Sequence, residues 1–438
     1  MEYVPNILFA VILILGIGYF ARNIKKIIRN IKLGRSIDAS DNKPQRWTNV
    51  ARIALGQSKM VKRPVSGIMH VLVYIGFVII NIEVLEIIID GIFGTHRIGL
   101  EILPVSAYGF LIGTFEILAV LVLVAVIVFW LRRNVIKIKR FLSSEMKGWP
   151  KRDGNIILYF EVVLMCLFLV MNATDTPFQE LDSGNVISQF IAPWFEGVSQ
   201  ASLYTIERVA WWLHIAGILI FLNYLYFSKH LHILLAFPNV YFGSVEPKGK
   251  FNNLEAVTAE VKLMMDPDAD PFAAPAEEAT DEVPEKFGAS DVMDLNQIQL
   301  LNAYTCTECG RCTSACPANL TGKKLSPRKI MMDTRDRLEE VGKNIDANNG
   351  EFKDDGKQLL GDYITNDELW ACTTCNACVE ECPVSIDPLS IILDMRRYLV
   401  MEQSAAPMEL NNMMTNIENN GAPWPYNQMD RLNWAKEE

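Results

Sequence analysis

The chain has 438 residues and a formal net charge of −10, room for two or three domains and no basis for a nucleic-acid-binding surface. Half of the residues are hydrophobic and 21% are charged, with a mean hydropathy of +0.16, a mixture that points to a membrane part joined to a soluble part. Eight of the nine cysteines fall into two compact groups in a chain that is neither small nor evidently secreted. That argues against a disulfide framework, for metal binding, and for a reducing compartment.

Taken in chain order, apolar stretches run roughly over 4–21, 65–91, 108–131, 155–172 and 208–228. Most are near the ~20 residues that a spanning helix needs. The first lacks a basic start and a small-residue cleavage site, and a basic run follows it, so it reads as a retained anchor. Residues 22–63 hold twelve basic and two acidic side chains, and 132–153 hold eight and two. The loop 173–206 has no Lys or Arg and four acids. By the positive-inside rule Met1 lies outside, and helix five delivers the rest of the chain to the cytoplasmic face.

Histidines fall at chosen depths. His70 lies near the inner end of helix two, His214 near the outer end of helix five, and His230 and His232 at its inner end. On one continuous helix His214 and His232 share a face about 27 Å apart. His70 and His232, matched in depth on separate helices, read as a bis-histidine pair for one b-type haem. At the outer level the position ten residues past His70 is Ile80, so His214 lacks a partner on helix two. A second haem is therefore not expected, and His214 is instead read as lining a quinone pocket. His96 is the other outer histidine, and with Arg97 beside His214 it suggests an outer quinone site. Glu83, Glu86 and Asp90 share a helix face rising toward the outer side, and Glu116 and Glu161 also sit at or near membrane depth. Buried carboxylates in hydrocarbon suggest a proton path or quinone site, with solvation at the interface the plainer reading for Asp90. Cys166, inside helix four, reads as a small buried hydrophobe.

Residues 245–292 hold twelve Asp or Glu, four Lys and five prolines, which reads as an extended or disordered tether. Beyond it come CTECGRCTSACP from Cys306 and CTTCNACVEECP from Cys372, both C-x2-C-x2-C-x3-C-P. In such a motif three thiolates wrap one cubane and the fourth reaches across to the other cluster. The spacing therefore assigns Cys306, Cys309, Cys312 and Cys382 to one [4Fe–4S] cluster and Cys372, Cys375, Cys378 and Cys316 to a second. Two complete repeats, each followed by proline, weigh against zinc. No cysteine is spare, so the clusters read as relays. The 55 residues between the groups exceed what a minimal bacterial ferredoxin has. Ser326-Pro327 starts a helix, and DPLSIILDMRRYLVMEQ reads as another. The expected fold is mainly α: a five-helix transmembrane bundle over 1–244, the linker, a helical dicluster ferredoxin domain over 293–402, and a partner-docking tail over 403–438.

The cysteine segment CTECGRCTSACP…TGKKLSP resembles the iron–sulfur C-type chain of heterodisulfide reductase and the membrane iron–sulfur oxidoreductases that reduce menaquinone with electrons from electron-transfer flavoprotein. RPVSGIMHVLVYIGF and WWLHIAGILIFLNYLYFSKHLH resemble the nitrate reductase gamma subunit and the membrane-embedded E-type chain of heterodisulfide reductase. The tail ENNGAPWPYNQMDRLNW is similar to the segment that leads, in fused relatives, into a domain with CCG-type cysteine clusters. The resemblance implies a b haem on His70 and His232, menaquinone as substrate, and a bacterial inner-membrane location. It also implies a cytoplasmic redox partner, either a CCG-type cysteine protein or electron-transfer flavoprotein, supplied as a separate polypeptide. The alternatives are a structural anchor, or a haem-free relay for a heterodisulfide-, lactate- or glycerol 3-phosphate-linked partner.

Overall fold

The computed structural model describes residues 3–247, 249–267 and 286–436, and every regular element among them is helical. Five helices are long and apolar enough to cross a membrane. They are α1 (Val4–Ile31), α2 (Pro64–Phe93), α3 (Val105–Asn134), α4 (Trp149–Thr174) and α5 (Gln200–Tyr224). Prolines in the first turn start α1, α2 and α4, where a missing N–H costs nothing. Gly94, left-handed at φ +77°, ends α2. Each helix packs on the next, and α1 closes the ring against α2 and α5. Ile80, Ile112, Phe115, Phe168 and Trp211 fill the middle of the bundle. Leu85, Phe110, Val163 and Ile220 stay exposed on its outer surface, as a hydrocarbon solvent would favour.

The fifth apolar stretch does not form one helix. α5 gives way after Tyr224 to a short 3₁₀ turn, the backbone extends at Ser228, and α6 (His232–Phe242) starts afresh. The cause is a single carboxylate: Asp153 of α4 accepts from the Tyr224 and Ser228 hydroxyls at 2.7 Å each and from the Lys229 backbone N–H at 3.2 Å. The expected common face of His214 and His232 is therefore lost. His214 also lies near the middle of α5, not at its outer end, because that helix begins at Gln200. Cys166, expected to be buried, is exposed on α4.

Within the stretch expected to be extended, α7 (Glu255–Met265) is helical, a run without Gly or Pro that stops just before Pro267. Residues 268–285 of that tether lie outside the described residues. The cysteine-bearing body begins at 286 and contains α8 (Gln297–Thr305), α9 (Arg311–Ala315), α10 (Pro327–Ala347), α11 (Ala377–Glu381) and α12 (Pro388–Met401). Its core of Leu300, Ile330, Leu338, Ile391 and Met395 is continuous with Ile27, Phe221, Leu225 and Leu231 at the base of the bundle. The far end of α1 runs into this body. Asn30 donates to the Tyr304 hydroxyl at 2.9 Å, Arg29 to the Gly342 carbonyl at 2.9 Å, and Lys26 pairs with Asp346 at 2.7 Å. The tail carries α13 (Met408–Asn420), which buries none of its residues.

Candidate metal centre

The two cysteine loops repeat one backbone. Glu308 and Thr374, each two residues after the first cysteine, are left-handed at φ +55° and +56°. Gly310 and Asn376, each one residue after the second, are left-handed at φ +71° and +58° and open the short helices α9 and α11. Glycine and asparagine tolerate that conformation most cheaply. The alternation curls each loop so that its three sulfurs converge, and α9 and α11 pack against each other.

That packing carries the fourth cysteine of each motif across. One cavity is lined by Cys306, Cys309, Cys312 and Cys382, with Cys378, Arg311 and Arg328 beside them. On the other side the charge of Cys316 bears on Cys372 and Cys378. Cysteines of both motifs therefore meet around this cavity. A single zinc ion would hold its thiolates within about 4 Å of one another. Among the described residues, no trio of cysteine sulfurs lies within 4.8 Å; the one metal-spaced trio of ligand atoms belongs to His96, Asp175 and Glu207. The wider spread suits a cubane. Burial pushes the Cys306 and Cys378 thiols up to about 12 and Cys382 up to about 11. Buried thiols of this kind ionise only when a metal supplies the compensating charge. Backbone N–H groups aim at the sulfurs, Thr374 at Cys372 (3.4 Å) and Ile386 at Cys382 (3.3 Å).

Charged side chains fasten the first loop to the bundle. Glu308 is buried and pairs with Lys229 and, at 2.9 Å, with Arg335. Burial works against its charge, but Lys229 and Arg335 outweigh burial and hold the carboxyl below its usual range. Lys229 also donates to the Pro150 carbonyl at 2.7 Å, at the start of α4. Arg311 donates to the Lys59 and Met60 carbonyls at 3.1 Å each, just before α2.

Those anchors sit at the same end of the bundle as the histidines. His70 on α2 and His232 at the start of α6 face each other with ring centres 6.4 Å apart. Two axial imidazoles on one iron, at ~2 Å per metal–nitrogen bond, place their ring centres on the order of 6 Å apart. His232 Nδ1 lies 3.2 Å from the Lys229 carbonyl, and the buried His70 Nδ1 has no hydrogen-bond partner among the described residues. His230 lies beside His232 at 5.3 Å between ring centres, a neighbour that sequence spacing placed on the opposite face. The break at Ser228 brings them together. The pair has the donor set and spacing for one haem.

At the far end the expected outer site resolves differently. Arg97 is buried and committed to Asp175 (2.6 Å), Asn172 (2.9 Å) and the Phe178 ring. His96 meets Asp175 at 3.4 Å, whereas His214 Nδ1 is set against the Leu164 carbonyl at 3.0 Å. Asp90, expected to be solvated, is buried and accepts from the Arg97 and Ile98 backbone at 2.8 and 3.1 Å. Glu86 accepts from Tyr108 and Gly99, and Glu116 accepts from Asn172, Ile187 and Ser188. Glu83 remains buried with one oxygen unpartnered.

The fold and the cysteine geometry together define a mainly helical chain with membrane-length helices and a C-terminal iron–sulfur domain: residues 305–386 match the 4Fe-4S dicluster domain family. The chain is 31% identical to the probable iron–sulfur-binding oxidoreductase FadF of Bacillus subtilis, over 98% of this chain and 61% of that protein. It is 26% identical to the EtfAB:quinone oxidoreductase of Syntrophomonas wolfei, over 92% of this chain and 55% of that protein. It is 33% identical to the C-type chain of a CoB-CoM heterodisulfide reductase of Methanosarcina acetivorans, over 27% of this chain and 60% of that one. The resemblance read from the motifs is therefore borne out, and the chain spans about three fifths or less of the length of these relatives. No solved structure matches it.

Proposed function

We propose that this chain is the membrane-bound electron-transfer part of a quinone oxidoreductase, carrying electrons between a cytoplasmic redox partner and quinone in a bacterial inner membrane. The observation that carries the proposal is a cavity lined by cysteines of both motifs, Cys306, Cys309 and Cys312 with Cys382. In this reading Cys306, Cys309, Cys312 and Cys382 hold one [4Fe–4S] cluster, Cys316, Cys372, Cys375 and Cys378 a second, and His70 and His232 one b haem. Clusters and haem, when bound, supply one-electron transfer. The protein's part is to hold them, to exclude water from the first loop, and to fasten that loop to the histidine-bearing segments through Lys229 and Arg311. The second loop, where Cys375 is exposed, faces the partner. One relative is named for EtfAB and quinone and another for heterodisulfide reductase, which favours an electron-transfer flavoprotein or a heterodisulfide-linked protein as that partner; a CCG-type partner and menaquinone as the membrane substrate are what the motif resemblance implies. The exposed α13 tail offers a place to dock it.

The haem assignment has a direct test. His70→Ala should abolish the pyridine haemochrome signal of the purified chain and leave the iron–sulfur absorption in place. A haem signal that survives this change overturns the ligand pair; a wild-type chain with no b haem overturns the membrane route.

A further inference from the structure

Where the bundle meets the cysteine body, an open cavity of about 400 Å³ lies between the start of α2 and the segment after α3. Arg63, Arg132, Lys139 and Arg140 line it, with Ser66 and Ser314. Only Arg63 among these cations has a carboxylate partner, Glu381 at 2.8 Å, within the described residues. The Arg140 Nε is buried and bonded to nothing. Burial lowers the proton affinity of the Arg140 guanidinium, and Arg63, Arg311 and Arg132 add to that by like-charge repulsion, against the opposing charge of Cys309. The 30-residue α2 also opens here with no side-chain cap, so its first-turn N–H groups and its dipole face the same space. Uncompensated cations around an uncapped helix start are an arrangement that an anionic oxygen ligand completes.

The surroundings identify the kind of anion. Val65 and Ile138 line the cavity, and Val61, Ile68, Val135 and Ile136, next to these lining segments in sequence, are exposed apolar side chains at the ends of two membrane-length helices. A free anion has no use for them; acyl chains do. We infer that this cavity binds the headgroup phosphate of an anionic phospholipid, whose tails lie along the adjoining faces of α2 and α3. The inference rests on the reading of α2 and α3 as membrane spans. Ser314, on α9, borders the cavity directly. Lipid bound there would bridge the bundle and the first cysteine loop.

The test uses the full chain with its clusters, in a neutral detergent, titrated separately with short-chain phosphatidylglycerol, short-chain phosphatidylcholine and inorganic phosphate, binding being read by native mass spectrometry. Each membrane-facing cation contributes enough that Arg132→Gln with Lys139→Gln should weaken phosphatidylglycerol binding on the order of 30-fold. Iron content should not change, and Arg132→Lys with Lys139→Arg should bind as the wild type does. If the double variant loses iron, Lys139→Gln alone, at an exposed position, should still show about a fivefold loss. Equal phosphatidylglycerol binding by wild type and Gln variants overturns the site. So does equal binding of phosphatidylcholine, or inorganic phosphate that competes as well as the lipid does. Failure of the haem test leaves this result standing, since the lipid readout does not depend on electron transfer.

Discussion

Cys306–Cys312 and Cys372–Cys378 are wound alike, with left-handed residues at matching places, yet Glu308 and Arg311 of the first are buried and ion-paired or bonded to the bundle, while Thr374 and Asn376 of the second make no such anchor. Cys306 is buried and Cys375 exposed. The spacing of cysteines sets the shape of a cluster loop; the residues between them set what the loop is fastened to and which side it shows to solvent. The same fold element thus provides one loop that is buried and anchored and another that reaches solvent.

The largest effect that sharpens this contrast comes from Glu308. Glu308→Gln removes the buried carboxylate shared by Lys229 and Arg335, leaving them Asp153 at 3.7 Å and Asp336 at 3.0 Å, and should cost about 2–3 kcal/mol in denaturant unfolding followed by the iron–sulfur absorption. Thr374→Ala, its counterpart, should cost less than about 0.5 kcal/mol. Equal losses would break the comparison. The pair also has a pH signature. The folded-state Glu308 carboxyl is depressed, so its stabilisation is complete above the unfolded value of about 4.3 and is lost as pH falls through the lower folded value. Wild type should therefore lose stability on acidification through this window more steeply than Glu308→Gln.

A smaller effect separates Gly310 from Asn376. A Cβ at Gly310 would lie 2.5 Å from Arg328 Nη1, and Arg328 is itself held by the Arg140 carbonyl at 2.7 Å and Glu145 at 2.7 Å. Gly310→Ala adds that clash to left-handed strain and should cost about 2 kcal/mol. Asn376→Gly keeps an easy left-handed residue and should change stability by less than about 0.5 kcal/mol in the same assay.

Much of this was legible in the residues alone. Apolar runs of membrane length gave the five spanning helices, because a helix in hydrocarbon must be apolar all along its length. The repeated cysteine spacing pointed to the iron–sulfur domain, because curled loops at that spacing bring several sulfurs together. The break at Ser228 was not legible. LNYLYFSKHLHILLAF is continuous in helical character, and the interruption comes from Asp153, 75 residues away in sequence. For the same reason His230 could not be placed beside His232. Asp90 looked like a helix-end carboxylate in water, whereas its role is to receive the backbone of the loop that turns back over it.

If each cluster takes its fourth ligand from the other motif, Cys382→Ser separates the two, read by iron content and by electron paramagnetic resonance of the reduced full chain. Iron should fall by about half, and the surviving signal should belong to a single, uncoupled cluster. That survivor should be the one lost in Cys375→Ser. Loss of the same cluster in both variants would contradict it.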